Sequence, residues 1–186
     1  MEVSWPTLLE SIANCQRCRL CDGRTHAVPG EGNPNAPLLL VGEGPGRDED
    51  LLGRPFVGAA GQLLEKILSA IGRSREDTYI ANVVKCRPPQ NRAPEADEIA
   101  ACLPYLRSQV ALIRPQIIVL MGATALKAIL GDTMRITRDR GQWIERKGVL
   151  IMPTFHPAAL LRDESKKRPV WEDFKQIRDK LQELAP

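Results

Sequence analysis

The sequence of 186 residues is poor in aromatic residues, which make up 4% of it, and it has only two histidines. It has no apolar run long enough to cross a membrane and no N-terminal apolar segment typical of secreted proteins. We therefore expect a cytoplasmic protein without a membrane partner. No repeat, low-complexity tract or long linker interrupts the chain, and its length suits a single domain over residues 1–186. The net charge of +3 slightly favours anionic partners but excludes no class of enzyme.

The chain does have a distinctive set of five cysteines. Cys15, Cys18 and Cys21 follow one another at C-x2-C spacing, and Cys86 and Cys102 form a later pair. In a reducing cytosol disulfides are disfavoured, and clustered cysteines more often bind a metal or an iron–sulfur cluster. The spacing suits zinc as well as iron–sulfur chemistry. It also leaves open which four of the five cysteines bind.

Short apolar runs alternate with segments of helical periodicity along the chain. The apolar runs predict buried strands over 36–42, 78–84, 116–121 and 148–153, and the periodic segments predict helices over 7–14, 61–71, 94–113, 122–130 and 170–184. This alternation predicts an α/β fold: a three-layer α/β/α sandwich with a central, mainly parallel four-stranded sheet.

Unusual polar residues follow three of these strands. The first strand leads into Gly42-Glu43-Gly44-Pro45-Gly46, the second ends at Asn82, and the fourth is followed by His156. Ligands of parallel sheets bind at the carboxyl ends of the strands. The sequence therefore predicts a single active site at this edge of the sheet.

The glycine-rich turn at 42–46 precedes an acidic run at 47–50. Glycines let a backbone approach a flat ligand closely. The turn is not a Walker loop, because no Gly-Lys-Ser/Thr follows, and it lacks the second glycine pair of a dinucleotide fingerprint. A tight turn with a solvated acidic face is the alternative interpretation.

Three side chains near this edge can act on a nucleobase. His156 can stabilise negative charge on a leaving group, the amide of Asn82 suits the edge of a base, and Phe56 can stack on its face. Each also has a structural interpretation, as a hydrogen-bonded histidine, a turn-forming asparagine and an anchor packed into the core.

These motifs together resemble the iron–sulfur (type 4) uracil-DNA glycosylases of bacteria and archaea. The resemblance rests on the segments 42–50, 53–58, 82–92 and 156–162, which occur in the family's order, and it extends from Cys15 to about Trp171. It implies an enzyme of base-excision repair that flips uracil out of DNA and hydrolyses its N-glycosidic bond, leaving an abasic site. The expected partner is uracil-containing DNA, single- or double-stranded.

The resemblance also implies roles for single residues. Phe56 would stack on uracil, Asn82 would read its Watson–Crick edge, and His156 would donate to O2 as charge builds on the departing base. The remaining expected uracil-binding residues are Glu43, Gly44 and Pro45.

The catalytic carboxylates are less defined by the resemblance. Better-known uracil-DNA glycosylases have an aspartate that orients water and a tyrosine that excludes thymine, and here those positions are Gly44 and Gly46. We expect Glu43 to bar the thymine methyl group, and Glu49, with Asp48 as its rival, to help the attacking water.

The segment after His156 would enter the DNA. Leu160 and Leu161 are expected to be apolar wedges beside the cationic Arg162. Nearby basic residues that can contact phosphates are Arg138, Arg140, Arg146, Lys147, Lys166, Lys167 and Arg168, although each lies among acidic residues and a solvated face is the default for any one of them.

By the same resemblance Cys15, Cys18, Cys86 and Cys102 would bind a structural [4Fe-4S] cluster that joins residues 15–18 to 86–102. Cys21 would be spare. We expect a monomer, with a sliding clamp as a candidate partner. Alternatives are a non-catalytic iron–sulfur nucleic-acid-binding module of the same fold and a hydrolase of another nucleotide-like substrate.

Overall fold

The computed structural model describes residues 3–186 and contains one mixed sheet. Its strands are β1 (Glu31–Gly32), β2 (Leu38–Gly42), β3 (Tyr79–Asn82), β4 (Ile117–Met121), β5 (Ile144–Arg146) and β6 (Val149–Thr154). They lie in the order β1-β3-β2-β4-β6-β5. The four inner strands are parallel, and β1 and β5 pair antiparallel at the two edges.

Helices cover both faces of this sheet. They are α1 (Trp5–Ala13), α2 (Leu20–Gly23), α3 (Arg47–Leu52), α4 (Ala59–Ala70), α5 (Ala96–Ile113), α6 (Ala123–Leu130), α7 (Ile136–Asp139), α8 (Pro157–Arg162) and α9 (Lys167–Leu184). Short 3₁₀ turns span Pro89–Asn91 and Glu164–Lys166. Within residues 3–186, no helix combines the length and apolar character that a membrane crossing needs.

Side chains along the inner strands alternate between the two faces of the sheet, and this produces two cores. Leu39 and Val41 of β2 face one core with α1, α5 and α6, whereas Leu38 and Leu40 face the other with α4, α8 and α9. Successive side chains of a strand point to opposite faces, so a strand covered by helices on both sides is apolar throughout. The predicted three-layer α/β/α architecture is confirmed.

The edge strands and the acidic run differ from the sequence expectation. β1 and β5 have two and three residues, too few for a periodic signal, so four strands were predicted where six occur. Residues 47–50 form the start of α3 and do not lie in a solvated loop, and Asp50 is buried because it accepts hydrogen bonds from the backbone N–H groups of Thr25 and His26. Gly148, expected to begin a strand, lies with Lys147 in the hairpin turn before β6, where both have positive φ.

The parallel strands end level with one another. Gly42 of β2 pairs with Asn82 of β3, and Met121 of β4 pairs with Thr154 of β6. The segments that follow these four residues therefore meet at one edge of the sheet, as the sequence predicts.

Candidate active site

A cavity at this carboxyl edge contains the residues expected to bind uracil. Its lining includes Glu43, Gly44, Pro45, Glu49, Phe56, Asn82 and His156, together with residues of α6, α8 and the 88–92 segment. Asp48 is exposed and does not line the cavity. The loops that carry these side chains are separated in sequence and are brought together by the parallel strands.

Phe56 forms one wall of the cavity. It is 6% exposed, and its ring stacks on the His156 imidazole with centroids 5.4 Å apart and an interplanar angle of 26°. Gly42 permits this arrangement, because a Cβ there would lie 2.6 Å from the Phe56 ring and 2.5 Å from Asn82 Oδ1. The two interpretations of Phe56 thus coexist, since the ring is packed and still borders the cavity.

Asn82 presents an unsatisfied acceptor at the cavity. The residue is 2% exposed, and its Oδ1 is the buried side-chain atom without a hydrogen-bond partner among residues 3–186. An unpaired buried acceptor costs about 1–3 kcal/mol. An unpaired acceptor in a residue that lines a cavity indicates that a ligand N–H group would bind there.

His156 is held as a neutral hydrogen-bond donor. It caps α8, where its Nδ1 accepts from the backbone N–H of Ala158 at 3.0 Å. Burial, with the nearby charge of Arg162, lowers its pKa from 6.5 to about 4. Because Nδ1 accepts, the proton of the neutral ring lies on Nε2, which is left to donate.

Glu43 is restrained by a residue that the sequence motifs did not identify. Thr124, in the first turn of α6, donates from its hydroxyl to Glu43 Oε2. Both residues line the cavity. The only sequence signal for Thr124 was its position two residues after Gly122, which opens the helix following β4.

Glu49 is engaged by three backbone amides. Its Oε1 accepts from Val57 N–H at 3.1 Å and from Gly58 N–H at 3.0 Å, and its Oε2 accepts from Gly46 N–H at 3.1 Å. A carboxylate offers about four acceptor sites. Three of them connect the glycine-rich turn to the Phe56 loop, so at most one remains for water.

The comparisons with known proteins agree with this geometry. Residues 29–177 match the family model described as the uracil DNA glycosylase superfamily. A type-4 uracil-DNA glycosylase of Sulfurisphaera tokodaii is 48% identical over 179 residues, covering 91% of this chain and 81% of the relative. One of Thermotoga maritima is 47% identical over 173 residues, covering 91% and 90%.

This chain belongs to the type-4 uracil-DNA glycosylase family. The family prediction made from the motifs is confirmed. A type-5 uracil-DNA glycosylase of Pyrobaculum aerophilum is also similar, at 32% identity over 183 residues and 80% of both chains. The higher identity to type-4 members places this chain with them.

The expected DNA-entering segment of this type-4 family member needs one correction. Leu160 is 2% exposed and packs in the core that includes Val170 and Phe174, so it is not available as a wedge. Leu161 is 52% exposed at the C-terminal end of the same short helix. The prediction was wrong for Leu160 because the helical geometry of α8 turns that position to the sheet while the next one faces out.

The nearby basic residues differ in their ion pairs and in whether they line the cavity. Arg140 forms an ion pair with the buried Asp173, and Arg138 pairs with Asp139. Arg162 and Lys166 line the cavity. Lys166 Nζ also lies 5.2 Å from the centroid of the Phe155 ring and 3.8 Å from Asp163 Oδ2. Of the basic residues in this region, these two border the cavity.

All five cysteines line one separate small cavity between α1, α5 and the segment after β3. The buried sulfurs receive donors: Arg24 Nη1 donates to Cys86 Sγ at 3.1 Å, and the Lys85 N–H donates to Cys102 Sγ at 3.2 Å. Burial raises the pKa of Cys102 to about 11 and also raises that of Cys86. The donors and the nearby cations offset only part of this effect of burial by favouring the thiolate, which is the form that binds iron.

Within the described part of the chain, the cysteines do not form a site for a single metal ion. Among residues 3–186, no three Cys, His, Asp or Glu side chains converge as a single metal ion requires. Zinc needs four ligands around one point, with sulfurs at about 2.3 Å. An iron–sulfur cluster has its cysteines on different iron atoms, and all five cysteines border the same small cavity. Cys21 lines the same cavity and its thiol donates to Asp22 at 3.5 Å, so its status as the spare cysteine still rests on the resemblance.

Proposed function

We propose that this chain is a uracil-DNA glycosylase that excises uracil from DNA and leaves an abasic site for base-excision repair. The observation that carries the proposal is the cavity in which Phe56, the unpaired acceptor of Asn82 and the neutral donor of His156 meet. The names of the type-4 relatives support the same activity.

Recognition of the base follows from the orphaned acceptor. Asn82 Oδ1 accepts from uracil N3–H, and its Nδ2 group donates to O4. Cytosine presents an acceptor at N3 and an amino donor where uracil has O4, so both groups of the amide would face the wrong partner. A site built to hydrogen-bond rejects such a base strongly, because its buried polar groups are left unpaired.

The departing base is stabilised by His156. As the bond between the sugar and N1 breaks, negative charge develops on uracil O2, and His156 Nε2–H donates to it. The imidazole is neutral at pH 7, because its pKa is about 4. A fixed donor aimed at developing charge contributes roughly a 10²–10³-fold rate enhancement.

Glu43 excludes thymine, and Glu49 orients the attacking water molecule. Thr124 holds the Glu43 carboxylate at the cavity wall, where it bars the methyl group of thymine. A dissociative reaction needs little from a general base, so the single remaining acceptor site of Glu49 is enough to orient a water molecule.

DNA is bound around the mouth of this cavity. Leu161 inserts between bases to hold the flipped conformation open, and Arg162 and Lys166 contact phosphates. The expected substrate is uracil-containing DNA, single- or double-stranded. A cytoplasmic location, a monomeric state and a sliding-clamp partner stay predictions from the sequence.

Cys15, Cys18, Cys86 and Cys102 would hold a [4Fe-4S] cluster. These four cysteines would then join the loop between α1 and α2 to the segment after β3 and to α5 through the cluster. None of these cysteines lines the base-binding cavity, which supports a structural role.

The test uses the purified protein and an oligonucleotide with one uracil, followed by alkali to cleave abasic sites. Oligonucleotides of the same sequence with cytosine or thymine are the controls. Strand cleavage confined to the uracil substrate supports the proposal. Binding without cleavage would indicate the non-catalytic module, and absence of both binding and cleavage would leave a different substrate.

A further inference from the structure

The loop that carries Phe56 has a strained backbone. Phe56 has φ of +52°, in the left-handed region that residues other than glycine, asparagine and aspartate rarely adopt. Such conformations persist only where the surrounding structure imposes them, and they concentrate at functional sites. The contacts that impose this one can be identified.

Arg75 holds the carbonyl groups of the loop. Its Nη1 donates to Phe56 O at 2.8 Å, and its Nη2 donates to Pro55 O. The side chain is 11% exposed and is itself oriented by Glu31, 3.3 Å from its Nε, and by Glu65, 3.5 Å from its Nη1. A guanidinium with two donors on neighbouring carbonyls fixes the direction of a peptide more firmly than a lysine can.

Glu49 holds the amide groups of the same loop. Its Oε1 accepts from Val57 N–H and Gly58 N–H. Two carbonyls in succession thus face a cation, and the next two N–H groups face an anion. Gly61 at the start of α4 contributes as well, because a Cβ there would collide with the Phe56 carbonyl.

We propose that Arg75 is a positioning residue for uracil binding, which acts through Phe56. Arg75 does not line the cavity, and it binds the carbonyl groups of the loop whose amide groups Glu49 binds. Without it the Phe56 backbone can relax to negative φ, and the ring then leaves the position in which it faces His156. The inference rests on the proposed function, in which Phe56 stacks on the base.

The test compares Arg75→Met and Arg75→Lys with the matched control Arg73→Met. Arg73 belongs to the same connection between α4 and β3, but its ion pair is with Asp77 at 3.8 Å. Each variant is assayed for kcat and KM on a single-stranded uracil oligonucleotide, for affinity toward free uracil by equilibrium dialysis, and for folded fraction by thermal unfolding.

We expect Arg75→Met to raise KM and weaken uracil binding by roughly 10-fold or more, as for loss of charge-assisted hydrogen bonds. Arg75→Lys should recover part of this loss, and Arg73→Met should behave as wild type. Wild-type values for Arg75→Met per folded molecule would overturn the inference.

A double variant separates positioning from general stabilisation. If Arg75 acts through Phe56, then Arg75→Met adds little to the KM effect of Phe56→Ala. Fully additive effects would overturn the inference, even if Arg75→Met alone is poorly folded. Wild-type protein that releases no uracil would instead refute the proposed function, so the two failures are distinguishable.

Discussion

The neutral state of His156 leads to a pH prediction with a defined sign. Its pKa is about 4 in the folded chain and is expected at its ordinary value of 6.5 in the unfolded chain. The unfolded state therefore binds the proton more readily, so the contribution of His156 to stability is fully present above pH 6.5. It is lost as the pH falls from 6.5 toward 4.

The size of this effect follows from the same two values. Between pH 7 and pH 5 the loss amounts to about 2 kcal/mol of unfolding free energy, since each pH unit well below 6.5 costs about 1.4 kcal/mol. Urea unfolding of wild type and His156→Gln at pH 7 and pH 5 isolates it, because other titrating groups are common to both proteins. We expect the difference in stability between wild type and variant to shift by about 2 kcal/mol.

The pH dependence of the excision rate should also reflect the neutral state of His156. Single-turnover rates of the wild type should not fall as the pH rises from 6 to 8, since the Nε2–H donor is present throughout. His156→Ala should lower the rate roughly 10²–10³-fold. A wild-type rate that declines with a midpoint near pH 6.5, or a stability difference that is the same at pH 7 and pH 5, would refute the reasoning.

Other predictions concern the wedge, the Glu43 restraint, Glu49 and the cluster. Leu161→Ala should weaken excision from double-stranded DNA more than from single-stranded DNA, at an unchanged melting temperature. Replacement of the buried Leu160 by alanine should instead lower the unfolding free energy by about 2–5 kcal/mol in urea. Equal melting temperatures of the two variants would contradict the assignment of Leu160 to the core and Leu161 to the surface. Thr124→Val should reduce discrimination against thymine in paired uracil and thymine assays, and Thr124→Ser should retain it. Glu49→Gln keeps one oxygen for the Val57 and Gly58 N–H groups and loses the acceptor for the Gly46 N–H, so a loss above about 10-fold in single-turnover excision at an unchanged melting temperature would assign Glu49 a direct role with water. Cys102→Ala should lower iron content, visible absorbance and melting temperature before excision; a folded, cluster-free and inactive variant would contradict a structural cluster.

Local sequence signals were sufficient for the inner sheet and for the edge that bears the site. The four apolar runs are largely buried, and Gly42 and Gly122 mark where the first and third of these strands end. Asn82 and His156 could be placed together because parallel strands end at a common edge. The family resemblance then supplied roles that spacing could not.

Other features depend on contacts that are distant in sequence. The burial of Leu160 depends on how α8 packs in the fold. The hydrogen bond from Arg75 to the Phe56 carbonyl joins residues that are 19 positions apart. From the sequence alone Glu49 was interpreted as a free carboxylate, because the sequence does not show that it accepts hydrogen bonds from residues 57 and 58. The edge strands pair through backbone groups over two or three residues, which leaves no side-chain pattern.

The central claim is that the cavity at the sheet edge binds uracil from DNA and that its N-glycosidic bond is hydrolysed there. Its most direct test is to quantify free uracil by mass spectrometry after incubation with uracil-containing DNA and to count abasic sites in the same sample. We predict equal amounts of both for the wild type, none from cytosine- or thymine-containing controls, and a large reduction for His156→Ala. DNA that is bound while neither uracil nor abasic sites appear would contradict the account.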